Sequence, residues 1–411
     1  MRYGSLSDHF TGIVAKRLST VEADTARSNQ HEFNGTNELR RLLGGERIER
    51  RPSRFIWLGG ENEGITDDAP VTWYDARERH PTRSEWRLYF QANAVTEVAQ
   101  AGDLLVVARR PSGDLMFIVA PQSSTLENQI AWLFGLDHGL GAGFRYEGFE
   151  GAGDRGLDFV SNYVLEEIGI EPEVPEADRL DEIVGRFGAQ FPSSRTFSAL
   201  ARQNLPEVDP RDDADAALLA WIEFEEALFR RLERHIVAAR LEVGFLTDGT
   251  ADVDGFLQFS LSVQNRRKSR MGLSLENHVE EMLTVLGLRY ARGARTEGNS
   301  KPDFLFPGVA EYADPGYSAD RLSMLGVKST LKDRWRQVLA EAARIDRKHL
   351  LTLEPGISTH QTNEMIRHSL QLVVPRGLHT TYTPEQAGWL MTVRGFLNLV
   401  AAREAARPYR E

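Results

Sequence analysis

At 411 residues, with 41% hydrophobic and 27% charged side chains, the chain is long enough for two or three domains with their own cores and has the balance of a soluble globular protein. It contains no cysteine, which excludes disulfides, thiolate zinc sites and cysteine nucleophiles. A net charge of −11 argues against a wholly basic nucleic-acid coat, yet leaves DNA binding open, because phosphates respond to local field rather than to the sum. The opening "MRYGSLSDHF" lacks the apolar stretch of a secretory signal, and no run reaches about 18 apolar residues, so a cytoplasmic location is expected.

Residues 1–147 read as β-rich. "RFIWLG" (54–59), "VTWYDA" (71–76), "EWRLYF" (85–90), "DLLVVARR" (103–110) and "LMFIVAP" (115–121) are short runs of β-branched and aromatic residues, and "PSGD" (111–114) marks a hairpin turn. This spacing predicts a barrel or sandwich, followed by a helix in "TLENQIAWLFGL". Glycines cluster between Gly139 and Gly156, and "EPEVPEAD" (171–178) is acidic and proline-containing, so 148–182 is assigned as the connection between domains. From Asp213 to about Val243, Leu218, Trp221, Phe224, Leu228 and Leu232 recur at helical spacing.

Beyond Ser274 the pattern becomes α/β. "SLENHVEEMLTVLGL" reads as a helix with Ser274 as its N-cap. Strands are expected at 303–306, 324–330, 349–353 and 370–374, with helices over 333–348 and 359–369 between them. That order predicts a mixed sheet covered by helices. The histidines at 349, 360, 368 and 379 have no helical zinc spacing and are expected to be structural or surface groups.

The stretch 302–345 carries chemistry. Asp303 opens a short apolar strand, and Lys328 interrupts another, a placement that costs energy unless compensated. Phosphodiester hydrolysis needs Mg²⁺ held by a few carboxylates, with a cation nearby to stabilise the developing charge. In the usual arrangement an acid stands two residues before the lysine, but position 326 is glycine. Glu341, at the edge of the apolar face made by Trp335, Val338, Leu339, Ala342 and Ile345, is one substitute, and Glu276 holds a similar flank on the preceding helix. Both fit equally well as boundary residues paired with nearby arginines.

The blocks "SVQNRRKSRMGLSLENHVEEMLTVLGLRY", "TEGNSKPDFLFPG", "MLGVKSTLKDRWRQVLAEAARI" and "KHLLTLEPGIS" closely resemble, in order and spacing, the catalytic domain of the EcoRII-like type IIE restriction endonucleases; the resemblance covers about 183–398. It implies an α/β PD-(D/E)XK nuclease core with added helices over 183–411, in a permuted form whose second acid lies on the helix after the lysine strand. Asp303, Lys328 and Glu341 are then the core triad, with Asp303 and Glu341 holding Mg²⁺ and Glu276 a further acid. The thirteen residues from Lys328 to Glu341 suit this form. Tyr312 aligns with a family tyrosine near the active site. Lys332, Asp333 and Arg334 would read C·G pairs, which agrees with Arg or Lys donating to guanine and Asp accepting from cytosine; the ordinary alternative is a helix start followed by solvated cations. Arg266, Arg267 and Lys268 in "NRRKSR" would contact phosphates.

Residues 1–147 more weakly resemble the B3-like DNA-binding pseudobarrel, a β-barrel that such enzymes use as an effector domain. Asn29, Gln30 and His31 would lie on one arm and Arg83, Glu85 and Arg87 on the other, both gripping a major groove; a charge-paired strand edge is the ordinary reading of the second group. The whole implies a homodimeric restriction endonuclease cleaving double-stranded DNA at a short palindrome with a CC/GG core (CCWGG or CCNGG). An effector copy of the site would stimulate it, and a cognate DNA methyltransferase would accompany it. Two rivals stand beside it: a DNA-binding regulator with an inactive nuclease core, and a nuclease whose first domain reads modified DNA.

Overall fold

The computed structural model describes residues 4–23, 31–136, 139–149, 156–171, 177–188, 190–247, 249–332 and 334–405. The chain divides into two compact units, Arg2–Glu173 with Gly356–Ser358, and Val174–Pro355 with Thr359–Glu411.

The first unit is built on eight strands: β1 (Gly12–Arg17), β2 (Glu32–Asn34), β3 (Ile48–Trp57), β4 (Thr66–Asp75), β5 (Trp86–Phe90), β6 (Leu104–Arg109), β7 (Leu115–Ala120) and β8 (Arg145–Gly148). They form one curled sheet, a half-barrel in the order β2-β5-β4-β3-β7-β6-β1-β8. The expected barrel or sandwich is thus met in part, as a half-barrel. The sheet ends at the short strands β2 and β8, which limits the unpaired edge each presents. Every pair is antiparallel except β3 with β7. The hairpin expected at 111–114 forms between β6 and β7, with Gly113 supplying the positive φ of its turn. The curl is filled by aromatics: Phe55 stacks on Phe117 at 4.3 Å between ring centroids, and Trp73 on Trp86 at 5.0 Å. Strand β1 escaped the sequence reading because Lys16 interrupts its apolar run. That lysine is buried, pairs with Glu22 and lies 4.9 Å from the Phe144 ring centroid.

Helix α1 (Thr125–Phe134) is capped by Ser124, whose hydroxyl accepts from Glu127 N, and ends at Gly135 in the left-handed conformation. Helix α2 (Phe159–Glu167), capped by Asp158, buries Val160, Val164 and Leu165. It falls inside the stretch 148–182. Most of "EPEVPEAD" lies outside the described residues.

In the second unit, α3 (Ser194–Gln203), α4 (Ala214–Val243) and α5 (Val253–Val285) pack together. Asp213 caps α4 as expected. The N-cap assigned to Ser274 is corrected: Ser274 is buried mid-helix, and Asp252 caps α5 by accepting from Gly255 N. The helix runs on because the basic stretch before Ser274 is tied down by acids of α4, Arg267 by Glu233 and Arg270 by Glu225 and Glu226. A mixed sheet follows in the order β11-β12-β13-β14-β15, with β9 (Leu246–Thr247) and β10 (Thr250–Ala251) forming a separate small ribbon. Its strands are β11 (Ala291–Arg292), β12 (Phe304–Phe306), β13 (Ser323–Lys328), β14 (Lys348–Thr352) and β15 (Leu370–Val373). The first three pair antiparallel, and β13, β14 and β15 pair parallel with both faces buried.

The helix expected over 333–348 is also corrected: only α6 (Trp335–Val338) is helical. Tighter turns follow, with Glu341 N donating to Val338 O, and Ala342 swings the chain away at φ 47°. The apolar face survives the break, since Trp335, Val338, Ala342 and Ile345 are all buried. Helix α7 (Thr359–Arg367) matches expectation, and α8 (Val393–Ala405) completes the unit. Among the described residues no helix is long and apolar enough to cross a membrane.

Candidate active site

Asp303 stands immediately before β12, and its neighbour strand fixes it. Asp303 Oδ2 accepts from Val327 N at 2.6 Å and from Lys328 Nζ at 2.8 Å. The ammonium that looked costly inside β13 is therefore compensated by a charge-assisted bond at the strand's end.

Two more carboxyls converge on this pair. Burial pushes the Glu341 carboxyl up to about 7, helped by the Asp303 charge and opposed by Lys328 and Lys348. Its Oε2 is buried without a hydrogen-bond partner. The Glu276 carboxyl is also raised, by burial first; Asp303 adds to the rise, while the bond from Arg292 and the Lys328 charge oppose it. Arg292 Nη2 donates to Glu276 Oε2 at 2.8 Å, and its Nη1 reaches Glu280 Oε2 at 2.6 Å. The arginine-paired alternative thus describes Glu276, whereas the buried Glu341 oxygen points at no such partner. Asp303 and Lys328 act on both carboxyls, which come from α5 and from the turn after α6.

The glycine at 326 has a packing reason. A Cβ there would stand 3.1 and 3.3 Å from the Val338 methyls and 3.4 Å from Leu350 Cδ1. Val338 fills the space that an acid at 326 would need, and Glu341 enters three residues later.

Among the described residues no three His, Cys, Asp or Glu side chains form a metal cluster by themselves. Two carboxylates suit Mg²⁺, which keeps several waters and takes further oxygens from phosphate. The orphaned Glu341 oxygen beside Asp303 fits such an ion.

Tyr312 stands apart from the pair. Its hydroxyl donates to Glu297 Oε2 at 2.6 Å and accepts from Arg344 N at 3.3 Å, and its phenol is pushed up to about 12 by burial and then by the Glu297 bond. Glu297 Oε2 also accepts from Ala343 N at 3.3 Å, and Thr296 Oγ1 accepts from Ala342 N at 3.4 Å. Thr296, Glu297 and Tyr312 therefore brace the turn that presents Glu341. Sequence reasoning missed the first two, since their contacts depend on the turn at Ala342.

Lys332 is exposed with φ 40°, and Arg334, also exposed, folds back so that its Nη2 donates to Thr330 O at 2.7 Å. Asp333 lies outside the described residues, and Arg334 itself occupies the N-cap position of α6. Arg266 sits 4.4 Å from the Phe191 ring centroid, and Arg267 Nε donates to Glu233 Oε2 at 2.6 Å, so both already have partners within the protein. The Lys268 side chain lies outside the described residues. In the first unit, Asn29 and Gln30 are likewise outside them, while His31 meets Phe90 edge-on. Arg83 is exposed; Glu85 accepts from Arg87 Nη2 at 2.6 Å and pairs with Arg77, and Arg87 also pairs with Glu32. The charge-paired edge is therefore the arrangement realised at 85 and 87.

Comparison with known proteins falls on the second unit. The family described as EcoRII C terminal matches residues 229–397, within the 183–398 of the resemblance. Type II restriction enzyme EcoRII of Escherichia coli is 44% identical over 186 residues, 45% of this chain and 45% of that protein, so the match spans under half of the relative's length. Among solved structures, metal-depleted Ecl18kI in complex with uncleaved, modified DNA has a TM-score of 0.43 at 16% identity, covering 57% of this chain and 88% of that one. The restriction endonuclease PspGI–substrate DNA complex gives 0.43 at 15%, covering 52% and 93%. The segment 229–397, which carries Glu276, Asp303, Lys328 and Glu341, is thus similar to the EcoRII C-terminal family.

Proposed function

We propose that this protein is a type II restriction endonuclease that cleaves both strands of DNA at a short palindrome with a CC/GG core. The observation that carries the reading is the Asp303–Lys328 pair beside a buried, unpartnered Glu341 oxygen. Asp303 and Glu341 would hold Mg²⁺, which when bound supplies Lewis-acid stabilisation of the phosphate and an activated water. Val327 N–H and Lys328 hold Asp303 in one rotamer, so a ligand oxygen is in place before the substrate arrives. Lys328 keeps a cation at the strand end, where negative charge develops on the phosphoryl oxygens. Glu276, oriented by Arg292, stands as a further acid in the same field. Lys332, Asp333 and Arg334, on the loop that leaves the Lys328 strand, would read the C·G pairs.

A palindrome is cut most simply by a homodimer with one site per strand. The curled sheet of the first unit is read as a B3-like effector domain that binds a second copy of the target and stimulates cleavage, with a methyltransferase protecting host DNA in the cytoplasm. Digestion of methylated and unmethylated plasmids, followed by sequencing of the ends, tests the reading. Discrete ends at one palindrome on unmethylated DNA are expected. Specific binding with no cleavage would favour a regulator with an inactive core, and cleavage restricted to methylated DNA would favour a reader of modified bases.

The raised Glu341 carboxyl sets a pH dependence. Its folded value of about 7 exceeds the ordinary 4.5, so in the metal-free protein its contribution to stability is complete below 4.5 and lost as pH rises through 7. Mg²⁺ requires the ionised form, so its stabilisation should grow over the same interval. Thermal melts are expected to show a larger Mg²⁺-induced rise in Tm at pH 8 than at pH 6. Glu341→Gln should remove the difference; an equal rise at both pH values in the parent protein would remove Glu341 from the metal site.

A further inference from the structure

The described residues 329–332 have no regular structure of their own, yet they are clamped from one side. Leu331 is buried, and its backbone N–H donates to Glu354 Oε2. Glu354 lies just past β14, 8% exposed, with its own backbone pinned at both ends: its N–H donates to Thr352 Oγ1 at 3.1 Å, and its carbonyl accepts from Tyr382 Oη at 2.6 Å. Thr352 is fully buried and stands opposite Lys328 in the parallel register of β13 and β14; its hydroxyl donates to Ser329 O at 3.4 Å. Gln361 Nε2 reaches Lys332 O at 3.5 Å.

The residue after Leu331 is Lys332, whose φ of 40° is a conformation that non-glycine residues adopt only where the surroundings impose it. A buried carboxyl oxygen accepting the preceding amide is such a restraint, because a buried donor left without its partner is costly. Base contacts by paired donors depend on tenths of an ångström, and a side chain on an unsupported loop cannot hold that geometry.

We propose that Glu354 is a positioning residue for sequence discrimination: its carboxylate holds the Leu331 amide so that Lys332 and Arg334 meet base edges from one fixed backbone. This rests on the assignment of Lys332–Arg334 as the base-reading segment. The same latch ties that segment to the strand ends carrying Lys328 and Thr352, so the reader and the catalytic lysine share one rigid base. Glu354 touches neither substrate nor metal in this account.

The test uses the full-length protein and short duplexes bearing the palindrome found by end sequencing, or that palindrome with one base pair changed at a time. Cleavage rates give a discrimination ratio for each position, for the parent and for Glu354→Ala, Glu354→Asp, Glu354→Gln and Lys332→Ala. Glu354→Ala, and Glu354→Asp with its oxygen withdrawn by one methylene, are expected to lower the ratio at the C·G positions by about tenfold, leaving other positions unchanged. Glu354→Gln keeps an acceptor oxygen and should stay within about threefold of the parent. Should Glu354→Ala fail to fold, Glu354→Asp carries the comparison, with its Tm as control. Parent-like ratios in the Ala and Asp variants, or a uniform loss at every position, would overturn the proposal. If Lys332→Ala alters C·G discrimination while the Glu354 variants do not, the latch alone is wrong. If Lys332→Ala leaves it intact, the base-reading assignment falls, and the latch with it.

Discussion

Replacing Asp303 or Lys328 by alanine is expected to reduce Mg²⁺-dependent cleavage by at least about a thousandfold while metal-free binding to the target site persists. The two side chains are bonded to each other at 2.8 Å, so each variant loses two things. Asp303→Ala removes the proposed metal ligand and leaves Lys328 without its carboxylate. Lys328→Ala removes the cation and frees Asp303 from one of the two groups that orient it, leaving Val327 N–H. Binding should survive because the proposed base-reading segment starts beyond the strand end and is held by Glu354, Thr352 and Gln361 rather than by Asp303. Single-turnover cleavage and gel-shift titration on the same duplex read the two quantities separately. Rates within tenfold of the parent in either variant would dismiss the pair as the catalytic centre. A smaller loss is expected for Glu276→Gln, since Arg292 already neutralises that carboxylate.

The second large effect is on stability. Glu225 is wholly buried on α4, with Oε2 lying 2.9 Å from Nε2 of the buried His278 on α5 and Oε1 3.4 Å from Arg270 Nη1. Burial pushes its carboxyl up, but the His278 contact and the charges of His278 and Arg270 outweigh that and hold it below the ordinary range. Burial conversely pushes the His278 ring down, opposed by the Glu225 contact. The carboxylate is thus the charged centre of the helix pair, and Glu225→Ala should cost about 3–5 kcal/mol by stranding groups that water cannot reach. Because the folded value is depressed, this contribution is present above 4.5 and disappears as pH falls through the depressed value. Denaturant melts of the Ala and Gln variants measure it; a loss under 1 kcal/mol for alanine would mean that the network rearranges around the gap. His278 is two residues beyond Glu276, so a loosened α5 should also slow cleavage.

Much of the catalytic half was legible because apolar runs and their breaks report directly on buried strands. Phe304–Phe306, Ser323–Lys328, Lys348–Thr352 and Leu370–Val373 fall where alternation and run length placed them, and Asp303 and Lys328 betrayed themselves as polar groups at apolar strand ends. What escaped depends on partners distant in sequence. Ser274 has the composition of a helix start, but ion pairs from Arg267 and Arg270 to α4 carry the helix through it. The turn at Ala342 leaves the apolar spacing of Trp335, Val338 and Ile345 intact, so helix and turn look alike from periodicity. In the first unit the length of β3 and β4 was underestimated because the polar residues of their outer portions, such as Arg50 and Asp67, mask the alternation.

The contact between position 326 and Val338 bears on how such a site can change over evolutionary time. A metal ion senses where an oxygen lies, not which stretch of chain supplies it, so an acid on the lysine strand and one beyond α6 could serve alike. Here the two solutions crowd each other: a β-carbon at 326 would stand 3.1 and 3.3 Å from the Val338 methyls, which would have to give by a few tenths of an ångström. A smaller side chain at 338, a substitution in the apolar core, would ease passage from one carboxylate to the other.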